Sequence, residues 1–119
     1  MQILSHTSNR KTVAEVLADE IVITDAETAL DLLGNIYYQN FDALILHEKN
    51  LTPDFFNLKT GIAGEILQKF SNYRIRLAIV GDFAPYQSKS IRDFIFESNK
   101  QGHINFVDSV EKALLKVTR

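Results

Sequence analysis

Apolar residues in this chain follow two periods, and the switches between them mark its elements. Met1–Thr7 alternates weakly, Ser8-Asn9-Arg10 supplies turn-forming residues, and Thr12–Leu17 alternates again. Strand, turn, strand in that order predicts a β-hairpin. After Asp19-Glu20 comes Ile21-Val22-Ile23, a β-branched run that predicts a further short strand piece. The period then becomes helical. Thr24 with Glu27 spells a capping box, and Ala26, Ala29, Leu30, Leu33, Ile36 and Tyr37 form a stripe that ends before Asn40.

The next segment organises the rest. Asp42–His47 contains the unbroken apolar run Ala43–Leu46, as expected of a central strand covered on both faces. A loop over Glu48–Lys59 holds Pro53 and the pair Phe55-Phe56, which predicts a loop packed against the core. A helix opens at Thr60-Gly61-Ile62-Ala63-Gly64, carries Ala63, Ile66, Leu67, Phe70 and Tyr73 on one face, and closes near Asn72. A second covered strand, Arg74–Val80, runs into Gly81-Asp82-Phe83-Ala84-Pro85-Tyr86, a loop rich in turn residues. A third helix starts near Ser88 or Ser90, with Ser90 and Asp93 as a capping box and Gly102 as its C-terminal cap. Ile104–Val107 is a last short strand. Asp108 or Ser109 caps a final helix with the stripe Val110, Ala113, Leu114 and Val117.

A hairpin followed by alternating helices and strands predicts one α/β domain over residues 1–119. Its sheet is mixed and mostly parallel, of about five strands with four helices.

Composition narrows the function classes. The 119 residues are 45% hydrophobic and 24% charged, ordinary values for a globular domain. Net charge is −2 with no run of five like charges, which argues against nucleic-acid binding. With no cysteine, disulfides, thiol catalysis and cysteine-held zinc are excluded. No apolar run suits a membrane span and no signal-peptide pattern opens the chain, so the expected location is the cytoplasm.

No reaction can be read from the residues. His6, His47 and His103 lack metal-ligand spacing, and no nucleophile elbow occurs, so neither metal, cofactor nor catalytic residue is expected. Candidate binding or switch residues are those at strand-to-helix corners, where open α/β sheets gather ligands. They are Lys59, Thr60, Gly61 and Gly64 at the second helix, and Asp82, Tyr86, Ser88 and Lys89 before the third. The plainer reading is that Thr60 caps a helix and the glycines allow close packing. A response-regulator receiver is rejected, because its acidic pair and strand-end lysine cannot be assembled. Leu32, Phe96 and Leu115 lie off their stripes, which is consistent with deeper helix burial or with a homodimer interface.

The run from Asp54 to Phe70 resembles an uncharacterised bacterial domain-of-unknown-function family, as do Leu77–Phe83, Tyr86, Ser88-Lys89-Ser90, Asp93-Phe94-Ile95 and Glu97-Ser98-Asn99. This resemblance covers nearly the whole chain and implies no activity. At the level of element order, the chain is similar to the STAS fold of anti-sigma-factor antagonists. That resemblance implies a non-enzymatic regulatory module docking a protein partner, with Thr60 at the family's phosphorylatable position. Lys59 stands where the family usually has aspartate. The alternative is a small anionic ligand held by the loops at the strand carboxyl ends.

Overall fold

The computed structural model describes residues 1–119. Strands β1 (Gln2–Ser8) and β2 (Lys11–Leu17) form the expected hairpin. Asn9 and Arg10 both take positive φ, 50° and 64°, the left-handed pair that matches the twist of a two-residue hairpin turn. Helix α1 (Ala26–Tyr38), strand β3 (Ala43–His47), helix α2 (Ile62–Tyr73), strand β4 (Arg76–Val80), helix α3 (Lys89–Gln101), strand β5 (Ile104–Val107) and helix α4 (Val110–Val117) follow. The sheet runs β1-β2-β3-β4-β5, with β1 antiparallel to β2 and every later pair parallel.

Side chains alternate across the sheet and feed two cores. Ala14, Val16, Leu44, Leu46, Leu77, Ile79, Ile104 and Phe106 meet Ala29, Leu33, Ile36, Ile66 and Phe70 of α1 and α2. On the opposite face, Val13, Ala43, Ile45, Ala78 and Val107 pack under Ala113 and Val117 of α4. Burial on both faces explains why β3 and β4 show no alternation in sequence. The eight-residue α4 lies over β3, β4 and β5. Beyond it the same face of β1 and β2 is open, and Leu4 and Leu17 stand exposed there. No helix is long and apolar enough to cross a membrane.

Several local expectations shift. Asp25, not Thr24, caps α1: its carboxylate accepts from Thr28 N–H, and the Thr28 hydroxyl accepts from Asp25 N–H. The α1 stripe is rotated toward Leu32, which is buried, and away from Leu30 and Tyr37, because α1 must serve both the sheet and α2. Tyr37 meets Tyr73 of α2 edge-on, at 5.5 Å between ring centroids. Ile21–Ile23 is no strand but a single bridge, Ile23 to Leu51. Asn50 holds this crossing by donating to the carbonyls of Ala18 and Glu20. Arg74 closes α2 at φ 57°, two residues beyond Asn72. Ser88 caps α3 through Ile91 N–H, and Ser109 caps α4 through Lys112 N–H. Phe55 is fully buried in the Glu48–Thr60 segment, which winds through three short 3₁₀ turns.

Candidate functional site

At the Thr60 corner the polar groups are spent on the fold. The Thr60 hydroxyl donates toward the carbonyls of Asp54 and Asn57 (3.0 and 2.9 Å) and accepts from Ile62 N–H. Gly61 sits at φ 76°, a left-handed conformation that favours glycine. Gly64 does not serve close packing, since a side-chain carbon there would meet nothing within 4 Å. Lys59 is exposed and forms no ion pair.

The second loop closes on itself in the same way. Glu48, just after β3, accepts from the main-chain N–H of Asp82 and from the Tyr86 hydroxyl. Tyr86 stacks on Phe56 at 4.4 Å. Burial, then the Glu48 bond, pushes the Tyr86 phenol up to about 12. Gly81 is required here, because a side-chain carbon would fall 2.6 Å from Glu48 Cβ. Asp82 caps its own loop through Ala84 N–H. Lys89 reaches Asp93 one turn along α3 (2.7 Å), a bond that raises its pKa. The two candidate groups are therefore separate local structures. The rim amide an anion would use is already held by Glu48.

Sequence reasoning missed a third cluster. Glu15 lies in the middle of β2, only 5% exposed. His6 Nε2 reaches its Oε1 at 2.8 Å and His47 Nε2 its Oε2 at 2.7 Å. The histidines, apparently remote in sequence, converge because His6 faces Val13 across the hairpin and Glu15 pairs with Ile45, two residues before His47. Burial raises the Glu15 pKa, but the bonds from His47 and His6 and their charge together outweigh it and hold it below the ordinary value. The available signal was a glutamate within an apolar strand: such a group must find partners. No group of three or more His, Cys, Asp or Glu side chains is disposed to hold a metal.

This cluster lies on the open face of β1 and β2, beside a free sheet edge. Thr12 turns its main-chain groups toward β3: its N–H donates to Asp42 Oδ2 and its C=O accepts from Asp42 N–H, both at 2.8 Å. Its hairpin partner Thr7 therefore directs its own N–H and C=O outward, and by ladder alternation so do Ser5 and Ile3. No other group of the chain bonds to them. The β5 edge is treated differently. There the Asn99 side chain donates to Phe106 C=O and accepts from Phe106 N–H (3.3 and 2.7 Å), standing in for a neighbouring strand.

Residues 8–117 match the model of the family DUF4180, described as a domain of unknown function. No curated protein and no solved structure matches the chain.

Proposed function

The chain belongs to the DUF4180 family, and from that premise we propose that it is a non-enzymatic protein-binding module that accepts an extended strand of another polypeptide along β1. One observation carries this reading: of the two sheet edges, β5 has the outward groups of Phe106 capped by Asn99, whereas no outward group of β1 is capped. Free edges are ordinarily blunted by lysine, proline or a bulge. Gln2-Ile3-Leu4-Ser5-His6-Thr7-Ser8 has none of these and no charged aspartate, glutamate, lysine or arginine. Added strands bind through main-chain hydrogen bonds, with side-chain pockets supplying selectivity. Here those side-chain contacts are exposed Leu4 and Leu17 and the half-buried imidazole of His6.

A second copy of the chain fills this edge most completely. Antiparallel pairing about a two-fold axis at Ser5 sets Ile3 against the partner's Thr7 and engages the whole strand, with about six new hydrogen bonds. Leu4 then lies against the partner's His6 and screens the carboxylate behind it. The basic turn Arg10-Lys11 of one copy comes beside the acidic Asp19-Glu20 end of the other. The reading as an anionic-ligand site at the strand carboxyl ends has less support, because Glu48 occupies that position.

Sedimentation analysis of the purified chain at about 100 µM, beside Ser5→Pro and Ser5→Lys, tests the proposal. Proline at Ser5 removes only an outward N–H. The expected result is a dimer abolished by both substitutions, with the thermal midpoint of the monomer, read at high dilution, kept. To catch a different partner, a photo-crosslinking residue at Leu4 is introduced in the source cell. A chain that is monomeric and yields no protein adduct at Leu4, or a dimer indifferent to both substitutions, overturns the reading.

A further inference from the structure

At the end of the sheet away from His47 and Glu48, an open cavity of about 400 Å³ is lined by Arg76, Lys100, His103, Asn105, Lys116 and Arg119, with only main chain and polar side chains between them. No hydrophobic and no acidic residue takes part in the lining. No aspartate or glutamate pairs with any of the four lysines and arginines, and Arg76 donates to the main-chain oxygen of Arg119 (3.0 Å) with the rest of its guanidinium uncommitted. Such a concentration is unexpected in a chain whose net charge is −2.

A second observation points to the same place. Two buried side-chain polar atoms in the whole chain lack a partner: His103 Nε2 and Asn105 Oδ1. Both residues line this cavity. Asn105 is 1% exposed, and its amide nitrogen is already committed to the carbonyls of Leu77 and Gly102 (3.3 and 2.9 Å). That commitment fixes the orientation of the amide and leaves its oxygen as a pure acceptor. A buried acceptor without a donor is costly, and orphan groups of this kind mark bound water, ions or ligands.

We infer that this cavity is a binding site for a small oxyanion that also carries a hydrogen-bond donor, a phosphate monoester of a polar carrier. The charges set the sign of the ligand: Arg76, Lys116, Lys100 and Arg119 surround the anionic oxygens, and His103 Nε2–H donates to one of them. Asn105 Oδ1 sets the second requirement. It accepts from a P–OH or from a hydroxyl of the carrier, so an anion with acceptors alone leaves it orphaned. The all-polar lining sets the third, since a nucleobase or acyl chain finds no apolar wall. The volume admits a phosphate with a short polyol attached. The site shares no residue with the β1 edge, so it stands or falls independently of strand addition.

The test is titration of the ¹⁵N-labelled full chain with inorganic phosphate, glycerol phosphate and sulfate at constant ionic strength, following the Asn105 side-chain amide and the His103 ring. Phosphate retains a hydroxyl donor near neutral pH, whereas sulfate does not. The expected result is saturable shifts at His103 and Asn105, with glycerol phosphate and phosphate binding at least tenfold more tightly than sulfate. Lys116→Gln and Lys100→Gln, both partly or wholly exposed positions that should leave folding intact, weaken binding several-fold. Asn105→Asp, where it folds, abolishes it. Shifts spread over lysines throughout the surface, shifts that chloride reproduces, or binding unchanged in Lys116→Gln overturn the site. Sulfate binding as tightly as phosphate overturns the donor requirement and with it the ligand class.

Discussion

Replacing Glu15 by glutamine tests how the buried cluster is held. The carboxylate accepts one hydrogen bond from each imidazole, at 2.8 and 2.7 Å, from a position 5% exposed. Bonds to a charged group are worth roughly 1.5–3 kcal/mol each. Glutamine keeps one acceptor oxygen, which serves one imidazole as a neutral bond, and turns an NH₂ toward the other, which expects an acceptor. One bond is lost and one is weakened, a cost of about 2–4 kcal/mol. For a chain of this size that lowers the thermal midpoint by on the order of 10 °C. Urea unfolding followed by circular dichroism reads it as a lower midpoint at unchanged slope. The pH dependence has a definite sign. Glu15 has its folded pKa below the ordinary 4.5, so its contribution is fully present above 4.5 and is lost as pH falls through the folded value. The gap between Glu15→Gln and the parent should therefore be full at pH 7 and close in that acid window. Equal stability at pH 7, or a gap that acid leaves untouched, refutes a charge-assisted bracket.

Glycine substitutions should split by position. Gly34→Ala and Gly64→Ala meet open space and gain about 0.5–1 kcal/mol in denaturation, whereas Gly81→Ala drives a carbon against Glu48 and costs about 1–3 kcal/mol. Phenolate absorbance followed with rising pH should show the Tyr86 step only as pH nears about 12. The stability Tyr86 contributes is complete below pH 10 and lost as pH passes about 12, and Tyr86→Phe removes this late step. Asn99→Ala exposes the N–H and C=O of Phe106, lowers stability by about 1–2 kcal/mol in urea unfolding, and raises light scattering on concentration because a second sheet edge is then free.

The fold was legible because its signals are local. The hairpin declared itself through alternation around Asn9-Arg10, and β3 and β4 through unbroken apolar runs that only a doubly covered strand tolerates. Helix caps were legible in kind but drifted by a residue or two. At the start of α1 and α3 several hydroxyl and carboxyl residues compete, and backbone geometry rather than residue type chooses Asp25 and Ser88. Ile21–Ile23 misled because β-branched residues favour extended backbone whether or not a neighbouring strand exists to pair with. The candidate sites were much less legible. Thr60 and Tyr86 sit where ligands gather, yet their hydroxyls are consumed by Asp54, Asn57 and Glu48, partners that sequence spacing does not reveal. His6, Glu15 and His47 meet only through strand register, across separations of 9 and 32 residues. The cavity around His103 and Asn105 draws on β4, β5, α3, α4 and the chain just beyond α4, and becomes visible only when the sheet is assembled.

His47 and Glu48 are adjacent in sequence but serve opposite sides of the sheet, one bonded to Glu15 and the other to Tyr86 and the Asp82 amide. This order works as a register key. Side chains alternate with a period of two, so sliding β3 by one residue exchanges the pair. Glu48 would then face the Glu15 carboxylate in a buried site, and the imidazole of His47 would be pushed toward Gly81. Hydrophobic matching alone cannot discriminate such a slip, since Ala43–Leu46 is apolar at every step. The dipeptide makes the shifted pairing electrostatically untenable, and so gives a featureless apolar strand one admissible alignment.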